Sequence, residues 1–437
     1  MAARRPVDDT TPHGTTPHGT GYGALLRTPH AWTFLLPALV ARLPYAMLSL
    51  GIVLLVHDTT GSYGLAGAVA AAAAVSQALV GPQTGRLADR HGQAAVLVPT
   101  VVVHACAVAA LIVLAHSGAP DWTLFLAAAP AGAAVPQVGA MVRARWVHRL
   151  AERPALLNTA FAFESVTDEF TFVIGPMLAT GTATLVNPSA GLAAEAALTL
   201  LGGLAFAARR DTAPAPTGPA APGVRRASAL ASPGVRLLAV AFLGLGTVFG
   251  TLQVSITAFA EDAGSGGLSG LVYGLFATGS MVAGVLYGLV PWRSSARRRM
   301  VVCYALLVLG CSTLWAMPNL AALTVAGLFC GLAIAPTLIT GFTLVETLVA
   351  AGAKTEAFTW LTGSIGLGLA LGSTAAGQLI DRSGAPLGFT VALAGSGLGL
   401  VALVTMRRLL LAPAPAHRTV ARGGAVREEA APAARRG

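Results

Sequence analysis

The sequence predicts an all-α integral membrane protein with twelve transmembrane helices in two pseudo-symmetric six-helix halves. Apolar runs of about 20 residues recur along the chain. A longer polar segment separates the sixth run from the seventh, and basic residues collect at alternate breaks. The 437 residues are 55% hydrophobic and only 11% charged, whereas soluble domains carry about 25% charged residues. These observations argue against a soluble protein.

The twelve apolar spans divide the chain into five segments. A disordered cytoplasmic N-terminus is predicted for 1–30, which is rich in Pro, Gly and Thr. The N-terminal six-helix half occupies 31–208, and a cytoplasmic linker at 209–234 joins it to the C-terminal six-helix half at 235–406. A disordered cytoplasmic tail follows at 407–437. The predicted spans are 31–56, 63–85, 94–116, 121–142, 156–182, 188–208, 235–259, 268–291, 300–317, 319–344, 356–380 and 386–406.

The basic residues predict the orientation. Of the 28 Lys and Arg residues, all but Arg42 and Arg382 fall on the side that also holds both termini and the linker. The positive-inside rule assigns that side to the cytoplasm. We therefore expect a multi-pass protein of the cell (inner, cytoplasmic) membrane with both termini cytoplasmic. The net charge of +10 is then explained by the basic residues that hold this side in the cytoplasm. The expected partner is therefore the lipid bilayer rather than nucleic acid.

No pattern in the sequence indicates an enzyme. The chain lacks a Walker-type Gly-Lys-Ser/Thr sequence, and no nucleophile–base or metal-ligand constellation is recognisable among the spans. The cysteines lie inside apolar runs without CxxC spacing, which argues against disulfides and metal sites. We therefore predict no enzymatic activity, no metal and no cofactor, with a proton gradient as the energy source. The cysteines are Cys106, Cys303, Cys311 and Cys330.

The two halves resemble each other in sequence. The fourth and tenth spans each contain a proline about two-thirds of the way through, at Pro136 and Pro336. Two parallel six-span repeats are a known transporter plan, with substrate and coupling sites near the midplane between the repeats. The pattern therefore predicts alternating access by rocking of the halves.

The break after the second span reads GPQTGRLADRHGQ over 81–93. It resembles the cytoplasmic loop motif of the major facilitator superfamily, Gly-x-Leu-Ala-Asp-Arg-x-Gly-Arg-Lys. A glutamine and an alanine replace the final two basic residues of that pattern. The resemblance extends over essentially the whole chain, from the first span to the last, and implies the superfamily fold. The matching residues are Gly85, Leu87, Asp89, Arg90 and Gly92.

The resemblance implies that Gly85, Asp89, Arg90 and Gly92 form a gating loop that latches the outward-facing state. The residues themselves allow close helix approach at Gly85 and a tight turn at Gly92. Asp89 lies at a helix end, where it can pair with Arg90 or with the N-terminus of a neighbouring helix. The alternative is a loop that only obeys the charge rule.

The fifth span carries three carboxylates, Glu164, Asp168 and Glu169. A charge inside a membrane costs several kcal/mol, so such residues indicate function. Arg42 in the first span lies at the same depth, and these spans are neighbours in the superfamily fold. We expect Arg42 to pair with Asp168 or Glu169, which leaves at least one acid free to carry a proton. Asp168 is the first candidate, Glu164 the second, and Glu169 the structural partner. The alternative is a purely structural ion network.

Other positions are weaker candidates. Gly175 and Pro176 resemble the superfamily's antiporter motif, and the alternative is a packing kink in the fifth span. Glu346 is predicted to close a cytoplasmic gate with a basic loop residue such as Arg143. In the superfamily fold the first, fourth, seventh and tenth spans line the cavity, which makes Tyr45, Gln137, Gln253 and Glu346 candidate cavity residues.

The predicted function is secondary active transport, specifically proton-coupled efflux (antiport) of a small, partly apolar drug or metabolite. Efflux of this kind confers drug resistance. One alternative is a proton symporter for uptake of a sugar or organic acid, and another is a non-transporting membrane sensor or scaffold. Few hydrogen-bonding side chains occur in the cavity-lining spans, which favours efflux. The predicted partners are a small-molecule substrate and lipid, and we expect a monomer.

Overall fold

A computed structural model describes residues 21–218, 228–265 and 268–411. These residues form sixteen α-helices joined by turns and short 3-10 segments. The helices are α1 (Tyr22–Leu26), α2 (Ala31–Thr60), α3 (Tyr63–His91), α4 (Gln93–His116), α5 (Asp121–Ala133), α6 (Val138–Arg149), α7 (Leu157–Leu185), α8 (Pro188–Ala208), α9 (Pro233–Asp262), α10 (Ser269–Leu289), α11 (Ala296–Leu314), α12 (Leu320–Gly331), α13 (Ile334–Leu348), α14 (Lys354–Ser383), α15 (Ala385–Gly388) and α16 (Thr390–Thr405).

The helices account for the twelve predicted spans. Among the described residues, ten stretches are long and apolar enough to cross a membrane. The other two spans are α7, which contains three carboxylates, and α11, which begins with three arginines. These charges lower the apolar character of α7 and α11 without shortening them below the length of a span. The all-α, twelve-helix membrane architecture is confirmed.

The fourth and tenth spans are interrupted helices. The fourth consists of α5 and α6, with Pro136 between them, and the tenth consists of α12 and α13, with Pro336 in the first turn of α13. A proline inside a helix removes a backbone hydrogen bond and clashes with the preceding turn. The two prolines recognised in the sequence lie at corresponding breaks in the two halves, at positions where no intrahelical hydrogen bond is lost.

Packing within each half follows the same plan. In the N-terminal half α2 packs against α7 and α8, and in the C-terminal half α9 packs against α14 and α16. The α9–α14 contact is close because glycines line it: a Cβ on Gly246 would overlap the backbone oxygen of Ile365. Between the halves, α3 packs against α14, and α10 packs against α7.

The halves are joined at one end of the bundle. There Thr159 of α7 donates a hydrogen bond to the carbonyl oxygen of Gly288 at 2.7 Å, and Arg299 donates to the side-chain oxygen of Asn158 at 3.2 Å. The positive-inside rule predicts that this end faces the cytoplasm. We call it the arginine-rich end, defined by the helix termini Arg90, Arg149, Arg298 and Lys354.

The predicted disorder of 1–30 is wrong for residues 21–30. Tyr22–Leu26 form α1, in which Leu25 is fully buried. The Tyr22 hydroxyl donates to the carbonyl oxygen of Val285 at 3.1 Å, so this segment of the N-terminal half contacts α10 of the other half. A five-residue helix is too short to show apolar periodicity. Residues 1–20 lie outside the described part of the chain.

The described ends of the linker and of the tail also contact the bundle. In the predicted linker, 209–234, Arg210–Thr212 form a 3-10 turn that buries Thr212. In the predicted tail, 407–437, Arg407–Leu410 form a second 3-10 turn, which buries Leu410. Disorder was therefore the wrong prediction for the start of the tail. The remaining residues of these segments, 219–227 and 412–437, lie outside the described residues.

Candidate functional site

Four charged side chains meet between α2, α6 and α7. Arg42 Nη2 lies 2.5 Å from Glu164 Oε2, and Arg42 Nη1 lies 3.7 Å from Asp168 Oδ1. Arg143 Nη2 lies 2.5 Å from Asp168 Oδ2. We call Arg42, Arg143, Glu164 and Asp168 the charge cluster. Two guanidinium groups and two carboxylates balance each other, so the ionised cluster is neutral.

Helix geometry places these side chains together. Glu164 and Asp168 are one turn apart on α7 and therefore share a face. Both arginines donate to the carbonyl oxygen of Gly139 in the first turn of α6, at 3.3 Å from Arg42 and 3.2 Å from Arg143. The break before α6 leaves this turn free to approach α2. The helix interruption in the fourth span thus contributes directly to the cluster.

The members of the cluster differ in exposure. The side chains of Arg143 and Glu164 are each 1% exposed, whereas that of Asp168 is 32% exposed. Glu164 is further held by Trp146, whose Nε1 donates to Glu164 Oε1 at 2.7 Å. Burying an ion is costly unless it is paired and hydrogen-bonded. Asp168 is therefore the cluster member that solvent or a ligand can reach.

The predicted pairing of Arg42 is only partly correct. The closest partner is Glu164, which was the second candidate for the free acid, while Asp168 is the more distant partner. Glu169 does not pair with Arg42. It lies about 100° further round α7 and accepts a hydrogen bond from Ser280 of α10, in the other half, at 2.7 Å. The described residues offer Glu169 no cation within 4.0 Å, so Glu169 is the acid without a counter-ion.

The predicted gating loop contacts the start of α14. Asp89 accepts backbone hydrogen bonds from Thr355 at 3.3 Å and Glu356 at 3.0 Å, while Arg90 is exposed. A helix N-terminus, rather than Arg90, is thus the partner of Asp89. A Cβ on Gly85 would lie 2.7 Å from Thr359 Oγ1 and 3.1 Å from the Thr355 carbonyl oxygen, so this contact requires glycine.

Two further glycines have defined places. Gly92 has φ 94°, which favours glycine at the turn between α3 and α4. A Cβ on Gly175 would lie 2.7 Å from Ala46 Cβ and 3.1 Å from the Leu43 carbonyl oxygen. The predicted kink residues Gly175 and Pro176 lie in α7, which continues to Leu185. In this structure Gly175 allows α7 to approach α2 closely.

The sequence matches the Major Facilitator Superfamily over residues 34–293 and 238–435. The chain belongs to the Major Facilitator Superfamily. Membership of this family of transporters confirms the prediction that the protein is not an enzyme. No curated protein matches the chain in sequence.

Solved structures of other superfamily members have a similar fold. A bacterial homologue of the iron transporter ferroportin, in an outward-facing state, gives a TM-score of 0.70 at 18% identity over 86% of this chain and 98% of that chain. The human organic anion transporter MFSD10 (TETRAN) gives 0.64 at 18% identity, over 87% and 98%. FucP in the outward conformation gives 0.65 at 12% identity, over 86% and 99%. At these identities the likeness establishes the fold alone.

The predicted cavity residues of this superfamily member lie in different environments. Tyr45 is half-buried on α2, with its ring edge-on to Phe172 at 6.0 Å between centroids. Gln137 is buried at the α5–α6 break and donates to the Val135 carbonyl oxygen at 3.1 Å. Gln253 is exposed on α9. Tyr45 is close enough to Asp168 of the charge cluster to interact with it electrostatically.

The predicted gate between Glu346 and Arg143 is wrong. Glu346 pairs instead with Lys354 of the same half, at 2.6 Å. Arg143, interpreted from the sequence as a cytoplasmic loop residue, is buried in α6, as is Arg145. The predicted fourth span ended at residue 142, whereas α6 continues to Arg149.

Sequence reasoning missed three partners of the acids. Arg143 pairs with Asp168, Trp146 donates to Glu164, and Ser280 donates to Glu169. Arg143 and Trp146 are three residues apart, so both can face α7. That spacing was visible in the sequence. Ser280 gave no such signal, because a serine in an apolar helix usually bonds its own backbone.

Proposed function

We propose that this superfamily member is a proton-coupled antiporter that exports a small, partly apolar drug or metabolite by alternating access. The observation that carries the proposal is the placement of Asp168. Its carboxylate is partly exposed and lies between two buried arginines, Arg42 and Arg143. A carboxylate in this position can exchange a proton with solvent, and its charge also balances the charges of the two buried arginines.

Proton binding changes the charge balance of the cluster. With Asp168 ionised the cluster is neutral, and with Asp168 protonated it carries one net positive charge. Removing one partner of a buried ion pair costs about 3–5 kcal/mol, because a charge remains buried without compensation. A shift from 1:99 to 99:1 between two conformations needs about 5.5 kcal/mol, so this energy supplies most of what such a shift requires. Protonation of Asp168 is therefore the proposed trigger for the change of access.

The composition of the interior favours an organic substrate. Phe172 lies one turn beyond Asp168 on the same face of α7, is 44% exposed and packs edge-on against Tyr45, with centroids 6.0 Å apart. Such surfaces suit apolar or aromatic molecules. One solved neighbour is a homologue of an iron transporter. In the described part of this chain, no three His, Cys, Asp or Glu side chains converge in a way that could hold a metal ion, which disfavours iron as the substrate.

Uptake by proton symport is the second candidate. Two structural neighbours are named as proton symporters, the E. coli fucose symporter FucP and the xylose symporter XylE. The charge cluster fits either direction of coupling, because protonation of one acid can accompany export or import. Direction must therefore be measured.

The test uses purified protein in proteoliposomes that contain the pH-sensitive dye pyranine. An acid-inside gradient is imposed, and a panel of drugs of varied chemistry, beginning with ethidium, is added outside. Antiport predicts that the correct drug accumulates inside and that the interior becomes more alkaline. Symport predicts accumulation only under the opposite gradient, and a sensor or scaffold predicts no flux with any compound under either gradient.

Asp168→Asn is the matched test of the coupling residue. We expect it to abolish proton movement coupled to substrate while leaving passive exchange of substrate measurable. Glu152→Gln is the control, because Glu152 is an exposed acid on the loop before α7 and should retain full coupling. Coupled flux that persists in Asp168→Asn would contradict the role of Asp168.

A further inference from the structure

Aromatic rings close the interface between the halves beneath the charge cluster. Phe161 of α7 packs edge-on against Phe358 of α14, with centroids 5.8 Å apart. Phe358 packs in turn against Phe342 of α13 at 6.0 Å. Each of the three side chains is at most 2% exposed. We call Phe161, Phe342 and Phe358 the aromatic seal, because together they exclude water between the halves.

Arg143 contacts the charge cluster and the seal at the same time. Its guanidinium carbon lies 4.0 Å from the centroid of the Phe342 ring, while Nη2 lies 2.5 Å from Asp168 Oδ2. Arg143 and Asp168 belong to the N-terminal half, and Phe342 belongs to the C-terminal half. The buried Nε of Arg143 finds no hydrogen-bond acceptor among the described residues. Asp168, the Gly139 carbonyl and the ring are therefore what compensate this charge.

Three other titratable groups interact with Asp168, namely Arg42 and Tyr45 of α2 and Glu169 of α7. Arg42 of α2 lies against Glu164 of α7 at 2.5 Å. Glu169 of α7 is directed to Ser280 of α10. A change in the charge of Asp168 is thus felt chiefly by Arg143, its partner at 2.5 Å, and more weakly by Arg42 at 3.7 Å.

We propose that Phe342 is a positioning residue that couples the Asp168 ion pair to the separation of the two halves. This inference rests on the proposed proton coupling through Asp168. While Asp168 is ionised, the Arg143 charge is balanced, and the guanidinium stays against the electron-rich face of the ring. When Asp168 takes a proton, the buried guanidinium loses its counter-ion. The conformation in which the halves part and water reaches Arg143 then becomes favoured.

Phe342 has this role because its ring contacts both the aromatic seal and the Arg143 guanidinium. It takes part in the aromatic seal, and its ring faces the guanidinium across the interface. Phe242 provides the comparison. Its ring packs edge-on against Phe342 with centroids 5.3 Å apart, but both residues belong to the C-terminal half. Replacing Phe242 removes a similar apolar volume without changing what Arg143 contacts.

The experiment measures the separation of the halves directly. Spin labels are attached at Arg153→Cys and Arg298→Cys, two exposed positions on opposite halves of the arginine-rich end. The background lacks the four native cysteines, and the full chain is reconstituted in liposomes. Double electron–electron resonance then gives the ratio of long to short distances. Pyranine flux is recorded on the same preparations.

We expect Asp168→Asn to raise this ratio about fivefold or more in the otherwise unchanged protein. Phe342→Leu should raise the ratio by itself and reduce the further effect of Asp168→Asn to less than about twofold, since residues acting on one group are not additive. Phe342→Met also removes the ring, leaves a side chain of about the volume of leucine that adapts to irregular gaps, and should behave as Phe342→Leu does. It also replaces that variant if Phe342→Leu does not fold. Phe242→Leu should leave the full response to Asp168→Asn.

Two results would overturn the proposal. One is an additive response, in which Asp168→Asn has its full effect in both Phe342 variants. The other is a response that Phe242→Leu abolishes as completely as Phe342→Leu, since that would indicate a general loss of packing. The two readouts separate the proposals. If no proton flux is measured but the distance change is intact and depends on Phe342, antiport alone is refuted. If flux is coupled to protons but the effects of the two substitutions on the distance ratio are additive, the role of Phe342 alone is refuted.

Discussion

Asp89 accepts the backbone N–H of Glu356 at 3.0 Å, and this hydrogen bond connects the two halves of the transporter. The neighbouring amide of Thr355 donates to the same carboxylate at 3.3 Å. The N-cap residue of α14 itself is Ala353, which has no side-chain acceptor. An N-cap carboxylate satisfies the free amides of the first turn and interacts favourably with the helix dipole. Asp89 therefore caps α14 from the opposite half.

Asp89→Ala should weaken closure of the arginine-rich end. Loss of a helix cap costs about 1 kcal/mol, so we expect about a fivefold rise in the ratio of long to short distances between labels at Arg153 and Arg298. Asp89→Asn keeps an acceptor but not the charge, and its effect should be smaller. Glu152→Ala removes an exposed acid from the same end and serves as the control. Equal ratios in Asp89→Ala and the parent would contradict the capping role.

Tyr22→Phe should weaken the same closure through the N-terminal segment. The variant loses the hydrogen bond from the hydroxyl to the Val285 carbonyl oxygen, worth about 0.5–1.5 kcal/mol. Burial raises the pKa of Tyr22 to about 12, so the hydroxyl keeps its proton and donates throughout the neutral range. The difference between Tyr22→Phe and the parent should therefore be the same at about pH 6 and about pH 9. A difference confined to one pH would identify another group as its source.

Arg145→Lys should loosen the start of the linker. Arg145 is fully buried, and it donates to Gln93 at 2.8 Å, Thr212 at 2.7 Å and the Phe206 carbonyl oxygen at 3.2 Å. A lysine ammonium cannot reproduce this planar arrangement of donors. We expect a loss of about 1–3 kcal/mol in stability and faster tryptic cleavage after Arg210. Arg153→Lys, at an exposed position, should leave both measurements unchanged.

His104 and Glu195 should behave as a coupled pair. The His104 ring nitrogen Nε2 lies 2.8 Å from Glu195 Oε1 in the core of the N-terminal half, and both residues are at most 1% exposed. His104→Leu leaves a buried carboxylate without its partner, which costs about 3–5 kcal/mol. The double variant His104→Leu/Glu195→Leu should recover most of that loss in thermal unfolding. A double variant less stable than His104→Leu would argue against coupling.

Predictions from the sequence were correct for features that depend on a single helix. Hydropathy located the spans, because each must bury about 20 apolar residues in lipid. The prolines Pro136 and Pro336 indicated that the two halves repeat each other, and the structure shows both at helix interruptions. The acids of the fifth span were recognised as unusual from their position alone. Asp89 was correctly expected at a helix end, with a neighbouring helix N-terminus as one of its two possible partners.

Predictions from the sequence were wrong where the two members of an ion pair come from different helices. Arg42 was matched to Asp168 or Glu169 by depth, but depth does not give the rotation of α2 about its axis, and Glu164 is the closest acid. Arg143 was interpreted as a loop residue because its charge ended the apolar run. Its burial depends on Asp168 and on Phe342, from two other helices.

The sequence alone thus determined that this chain spans the membrane as two six-helix halves and keeps three acids in its fifth span. Lipid favours apolar residues and penalises charged ones, so both features are visible residue by residue. Only the tertiary structure decided how the charges are shared. It placed Asp168 between Arg42 and Arg143, and it directed Glu169 to the other half. The physical reason is that ion pairing depends on distances of a few ångströms, which are set by the packing of helices distant in sequence.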